Sequence, residues 1–170
     1  MALPDTIQHQ DFLLTLDTSK LPFVKDVLPG VDICPLFLDP ENGQWVIRAL
    51  FHPGVTLPKH FHTGTVQFYT LAGCWYYLEY PEQKQTAGCY LYEPGGSIHT
   101  FHTPEDNTEV TDGFMVVQGA NINFDADGNY LNTMDAGWIE QIVVAAAKAQ
   151  GLGMPRYIKP IAGAGFSDEN

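Results

Sequence analysis

The chain has 170 residues, 45% of them hydrophobic, and a formal net charge of −12. That length suffices for one domain with a sizeable core, and no apolar run approaches the ~18 residues of a membrane span. Its eight Lys and Arg residues form no cluster, which excludes a surface built to neutralise a nucleic-acid backbone.

The start, Met1-Ala2-Leu3-Pro4-Asp5, lacks the basic and apolar regions of a secretory signal. Cys34, Cys74 and Cys89 are odd in number and not spaced as Cys-x-x-Cys. A reduced, cytoplasmic setting is therefore expected, with each Cys a small core residue. The run Leu13-Leu14-Thr15-Leu16 is expected either to add an edge strand or to make an oligomer contact.

From there the chain reads as short strands parted by Gly, Pro, Asn and Asp turns. Residues 44–50 alternate and are rich in Val, Ile and Trp. Residues 65–71 and 74–80 are aromatic and β-prone, split by Ala72-Gly73 as a hairpin turn. Residues 88–93 form a strand that Pro94-Gly95-Gly96 stops, and residues 99–103 resume the pattern. Residues 110–119 make another strand, and Asp125-Ala126-Asp127-Gly128-Asn129 reads as a tight hairpin turn. One helix follows at about 135–150, capped by Asp135, striped by Ile139, Ile142, Val143 and Ala146, and ended by Gly151. Its expected place is over one end or face of the barrel, or against a second subunit. Residues 163–170 look frayed. The whole chain, 1–170, reads as a single all-β domain with a barrel core at about 28–132 and a C-terminal helix.

Chemistry concentrates in His60, His62 and His99. Side chains at i and i+2 of a strand share a face, so His60 and His62 project together. His99 follows a Pro-Gly-Gly turn that can aim a third imidazole. Neutral imidazoles suit Fe, Zn, Cu and Ni.

The residues Gly54-Val55-Thr56-Leu57-Pro58-Lys59-His60-Phe61-His62, continuing to Gly73, resemble the first signature motif of the cupins. That motif runs Gly, five residues, His-x-His, three or four residues, Glu, and about six residues to another Gly. Gly88-Cys89-Tyr90-Leu91-Tyr92-Glu93-Pro94-Gly95-Gly96-Ser97-Ile98-His99 resembles the second motif. The departures are Gln67 at the carboxylate position and Thr103 where Asn is usual. The resemblance implies a double-stranded β-helix, or jelly-roll barrel, and a homodimer or homotetramer.

A narrower resemblance is carried by three stretches. These are Tyr69-Thr70-Leu71-Ala72-Gly73-Cys74-Trp75-Tyr76-Tyr77-Leu78-Glu79, Tyr92-Glu93-Pro94-Gly95-Gly96-Ser97-Ile98-His99-Thr100 and Asn123-Phe124-Asp125-Ala126-Asp127-Gly128-Asn129. They are similar to the branch holding acetylacetone-cleaving and 2,4′-dihydroxyacetophenone dioxygenases. The resemblance implies mononuclear iron(II) on His60, His62 and His99, with Glu93 near the metal but not on it. It further implies O2-dependent cleavage of a carbon–carbon bond in a β-diketone, hydroxyketone or aryl ketone. With Gln67 in place of a carboxylate, three neutral imidazoles would leave Fe(II) at +2, and an anionic chelating substrate would bring the balancing charge. Gln67 would then hydrogen-bond a bound water or substrate oxygen, or less favourably ligate through its carbonyl.

Other polar residues carry two readings each. Glu79 either orients a ligand histidine or ends its strand in water. His102 is expected on the face opposite His99, and His52, just before Pro53-Gly54, is expected to be structural. Arg48 meets either a substrate anion or an internal carboxylate. Phe61, Phe68, Tyr69, Tyr77 and Phe101 read as core, with some lining a pocket. Two other classes of function compete with the dioxygenase. One is an isomerase or lyase using Zn(II) or Ni(II) as Lewis acid. The other is a metal-binding sensor like the cupin domains that accompany anti-sigma factors.

Overall fold

The computed structural model describes residues 13–160, so the readings of the first five residues and of residues 163–170 lie outside it. Thirteen strands and one helix follow a short 3-10 turn at Thr18–Lys20. In chain order they are β1 Val24–Leu28, β2 Val31–Asp39, β3 Gln44–Phe51, β4 Lys59–His62, β5 Val66–Ala72, β6 Cys74–Tyr77 and β7 Gln85–Thr86. Next come β8 Tyr90–Glu93, β9 Ile98–His99, β10 Phe101–His102, β11 Thr111–Gln118, β12 Asn121–Phe124, β13 Tyr130–Met134 and α1 Ala136–Ala149.

Six strands form one sheet in the order β1-β2-β3-β11-β5-β8. Facing it are a four-stranded sheet, β13-β12-β4-β9, and a three-stranded one, β10-β6-β7. A chain of aromatic rings joins the sheets: Phe68 lies 4.6 Å from Trp75, Trp75 4.8 Å from Phe101, and Phe101 4.4 Å from Phe51. Such pairs add ~0.5–1.5 kcal/mol each beyond the area they bury.

β3 shows why alternation is legible: Trp45, Ile47, Ala49 and Phe51 point inward and are buried, and the residues between them are half-buried. β2 does not alternate, because both its faces are covered. Val31 and Ile33 line the barrel interior, α1 packs on the strand, and the segment carrying Ile158 pairs along its edge at Phe37. The Leu13–Leu16 run is not a strand; Leu13 and Leu14 are exposed, and the edge of the sheet is β1.

Two corners differ from the sequence expectation. Ala72-Gly73 is not a hairpin turn, since β5 pairs with β8 and β11 while β6 pairs with β7 and β10. Gly73, at φ 75°, carries the chain from one sheet into another, and a Cβ there would lie 2.6 Å from the Thr111 backbone. The strand expected at 99–103 is likewise divided: β9 pairs with β4, β10 with β6, and the chain changes sheet at Thr100.

The helix stands where its caps place it. The Asp135 carboxylate accepts from the Trp138 N–H at 2.8 Å, and Gly151 follows with φ 70°. Ala136, Ile139, Val143 and Ala147 are its buried residues, and it packs on β1, β2 and β13. The Gln150 side chain clips its end to the edge strand, bonding both the N–H and the carbonyl of Lys25. Cys34 is buried as expected, Cys74 and Cys89 are half-buried, and all three are free thiols. No helix among the described residues is long and apolar enough to cross a membrane.

Candidate metal centre

Three histidines meet because two short strands pair. His60 and His62 sit on the inner face of β4, and His99 on β9 is the direct register partner of His60. All three are buried, and each offers a nitrogen such that these atoms lie within 4.8 Å of one another. The ring centroids are 4.7 to 5.6 Å apart. His60 Nδ1 donates to the Pro58 carbonyl at 2.8 Å, which leaves Nε2 with its lone pair free. The Pro-Gly-Gly turn is tied to the same strand: the Gly96 N–H donates to the His62 carbonyl at 2.8 Å, at φ 86°.

The anionic partner of these rings is Glu93, the last residue of β8. Its carboxylate is buried, and Oε2 lies 3.2 Å from His62 Nε2 and 3.1 Å from His99 Nε2. These contacts lack the angles of hydrogen bonds: Glu93 Oε2 and His99 Nε2 are sealed from solvent without a hydrogen-bond partner. Unpaired polar atoms in a core cost stability unless something satisfies them. Two atoms each ~2.1 Å from one cation, at right angles, lie ~3.0 Å apart, which is close to the separations seen.

Burial sets the protonation states. It pushes the His60 ring below its usual range and the His62 ring down to about 3, so both are neutral near pH 7. Burial pushes the Glu93 carboxyl up, but His99, His62 and the Tyr77 hydroxyl outweigh it and hold the group below the usual range. Neutral imidazoles and one carboxylate form a donor set that fits a divalent transition metal.

Tyr77, which reads as core in the sequence, is the residue that the motifs do not reveal. Its hydroxyl donates to Glu93 Oε1, and its ring stacks on His99 with centroids 4.1 Å apart. Burial, and then the Glu93 charge, push the phenol well above its usual range, so it stays a donor. Glu79 does not reach the rings. It accepts from the Thr100 N–H at 2.7 Å and the Thr100 hydroxyl at 2.9 Å, pinning the residue after His99.

Gln67 does not face the site. It is exposed on the outer face of β5, where its carbonyl accepts from the Tyr90 hydroxyl at 3.3 Å. The inward neighbour is Val66, whose register partner on β8 is Glu93. The remaining readings separate cleanly. Arg48 pairs with the internal carboxylate of Asp112. His102 Nδ1 meets the Thr56 hydroxyl at 2.8 Å away from the three rings. His52 lies 3.4 Å from Asp32. Thr103, fully buried, donates to the His52 carbonyl and accepts from the Val55 N–H, a structural role.

The site opens onto a cavity of about 60 Å³. His60, His62, Glu93, Tyr77 and Asn121 form its polar wall, while residues such as Phe51, Phe68, Phe101, Met115 and Val117 form the rest. Ile139 of α1 also lines it, so the helix helps to close the barrel.

This fold and site match one family. The profile of the ChrR cupin-like domain matches residues 11–120, and the chain belongs to that family. A solved protein of unknown function with a cupin-like fold, from Ralstonia eutropha JMP134, is 55% identical. That match covers 95% of this chain and 100% of the other, with a TM-score of 0.87. An RmlC-like cupin protein from the same organism is 25% identical over 84% of this chain and 90% of its own, TM-score 0.74. The acetylacetone dioxygenase of Acinetobacter johnsonii shares the fold, at 14% identity, TM-score 0.67, covering 86% of this chain and 99% of that one. No curated protein matches the chain.

Proposed function

We propose that this cupin is a mononuclear non-haem iron(II) dioxygenase that cleaves a carbon–carbon bond of a small β-diketone or hydroxyketone with O2. The observation that carries the reading is the meeting of His60, His62 and His99, with the Glu93 carboxylate against two of them, beside an apolar cavity. The shared fold with an acetylacetone dioxygenase supports it. The four side chains would hold the metal. Bound there, iron(II) supplies Lewis acidity and the electrons that let O2 react.

The chain's own residues set what the site accepts. Glu93 contributes one negative charge, so a divalent ion leaves the centre at +1, which a single enolate neutralises. The aromatic and aliphatic wall excludes water and favours a compact ketone. The balanced reaction of a β-diketone with one O2 gives one carboxylic acid and one 2-oxoaldehyde, with both oxygen atoms kept in the products.

The test is oxygen uptake after anaerobic loading with iron(II), over a panel of short diketones and hydroxyketones. Uptake matched, per O2, by one acid from a β-diketone or by two acids from an α-hydroxyketone is the expected result. No uptake with any of them overturns the reading, and turnover that persists without O2 on Zn(II) or Ni(II) replaces it with an isomerase or lyase.

A further inference from the structure

We infer that Tyr77 is a positioning residue of the metal centre, acting through Glu93. The inference rests on the reading of the four side chains as metal ligands. Glu93 has two carboxylate oxygens with different surroundings. Oε1 is engaged by the Tyr77 hydroxyl, whereas Oε2 has no hydrogen-bond partner and lies against His62 and His99. A carboxylate held by one oxygen presents the other in a fixed direction.

Tyr77 is itself held from two sides. Its ring lies 4.1 Å from His99 at 26°, and 5.1 Å from Trp75 at 76°. Trp75 is fully buried, and its indole N–H donates to the Thr70 hydroxyl at 2.9 Å, so it offers a rigid wall. β6 brings Tyr77 to this place through its pairing with Phe101 on β10, two residues beyond His99. One side chain thus touches two of the four groups, His99 through its ring and Glu93 through its hydroxyl.

Tyr77→Phe separates these two contacts, because phenylalanine keeps the ring and removes the donor. Glu93 Oε1 is then buried without a partner and the carboxylate loses its fixed orientation. The probe is Co(II), added to metal-free protein and read by its visible absorption bands and by competition with a chelator. Wild type is expected to bind one ion. Tyr77→Phe is expected to bind it about 10- to 100-fold more weakly, with shifted bands. In a Glu93→Gln background the same change is expected to cost nothing further, since Tyr77 acts only through that carboxylate.

A Tyr77→Phe variant with unchanged affinity and bands, or losses that add to those of Glu93→Gln, overturns the role of Tyr77 while the metal centre stands. A lowered melting temperature with an unchanged Co(II) spectrum assigns Tyr77 to packing and overturns it too. Failure of wild type to bind Co(II), Zn(II) or Fe(II) overturns the metal centre and this inference together.

Discussion

Val66 and Glu93 face each other across the β5–β8 ladder, and of the two it is Glu93 that carries a carboxylate into the barrel. The first motif permits three or four residues between its His-x-His and its acid. With three, the position is Val66, which is apolar and buried. The anion of the site therefore comes from the second motif, across the ladder, and Gln67 points away from it. This changes the charge that a substrate must supply. A centre with Glu93 needs one negative charge, where three imidazoles alone would have needed two.

Stability of the metal-free protein should depend on pH through His60 and His62. The unfolded chain takes up a proton on each ring below about pH 6.5, whereas burial keeps the folded rings neutral, His62 down to about pH 3. The unfolded state binds more protons in that window, so stability falls as pH falls, by at most ~1.4 kcal/mol per pH unit through His62, with His60 acting in the same direction. Urea midpoints at pH 7.5, 6.5 and 5.5 should decline across the last step. A flat profile would contradict the burial of neutral rings.

Gly113 should not tolerate a side chain. A Cβ there would lie 2.3 Å from the Phe68 ring, and Phe68 is wedged against Trp75 and lines the cavity. Gly113→Ala is expected to cost ~1–3 kcal/mol through overpacking. An unchanged denaturant midpoint would show that the ring has room to move.

Asn121 should be dispensable for folding. It is the register partner of His62 and lines the cavity, and its Oδ1 is sealed without a hydrogen-bond partner. Replacing such a group by an apolar one of similar size removes an unpaid desolvation cost. Asn121→Leu is expected to leave the melting temperature of the metal-free protein unchanged or raised. A fall of several degrees would mean that the amide has a structural partner in solution.

The parts of the molecule governed by local pattern were legible in the sequence. The alternation of β3, the Asp135 cap and the His-x-His pair each depend on residues a few positions apart, and each stands where that pattern places it. Gln67 was misplaced because a strand has period two, so a slip of one residue exchanges the inner and outer faces. β2 was invisible because both its faces are covered, which erases the alternation, and Pro35 interrupts its run. Tyr77 could not be singled out. Its meeting with Glu93 needs the chain to leave one sheet at Gly73 and return in another, and spacing along the sequence does not report that path.

The central claim is that Glu93, and not the position of Gln67, completes the set formed by His60, His62 and His99. Titration of metal-free protein with Zn(II), compared among wild type, Gln67→Glu and Glu93→Gln, tests it most directly. Removal of the carboxylate charge is expected to weaken binding by about 100-fold in Glu93→Gln, while Gln67→Glu stays within about twofold of wild type. Wild-type affinity in Glu93→Gln, or a large change in Gln67→Glu, would contradict the account.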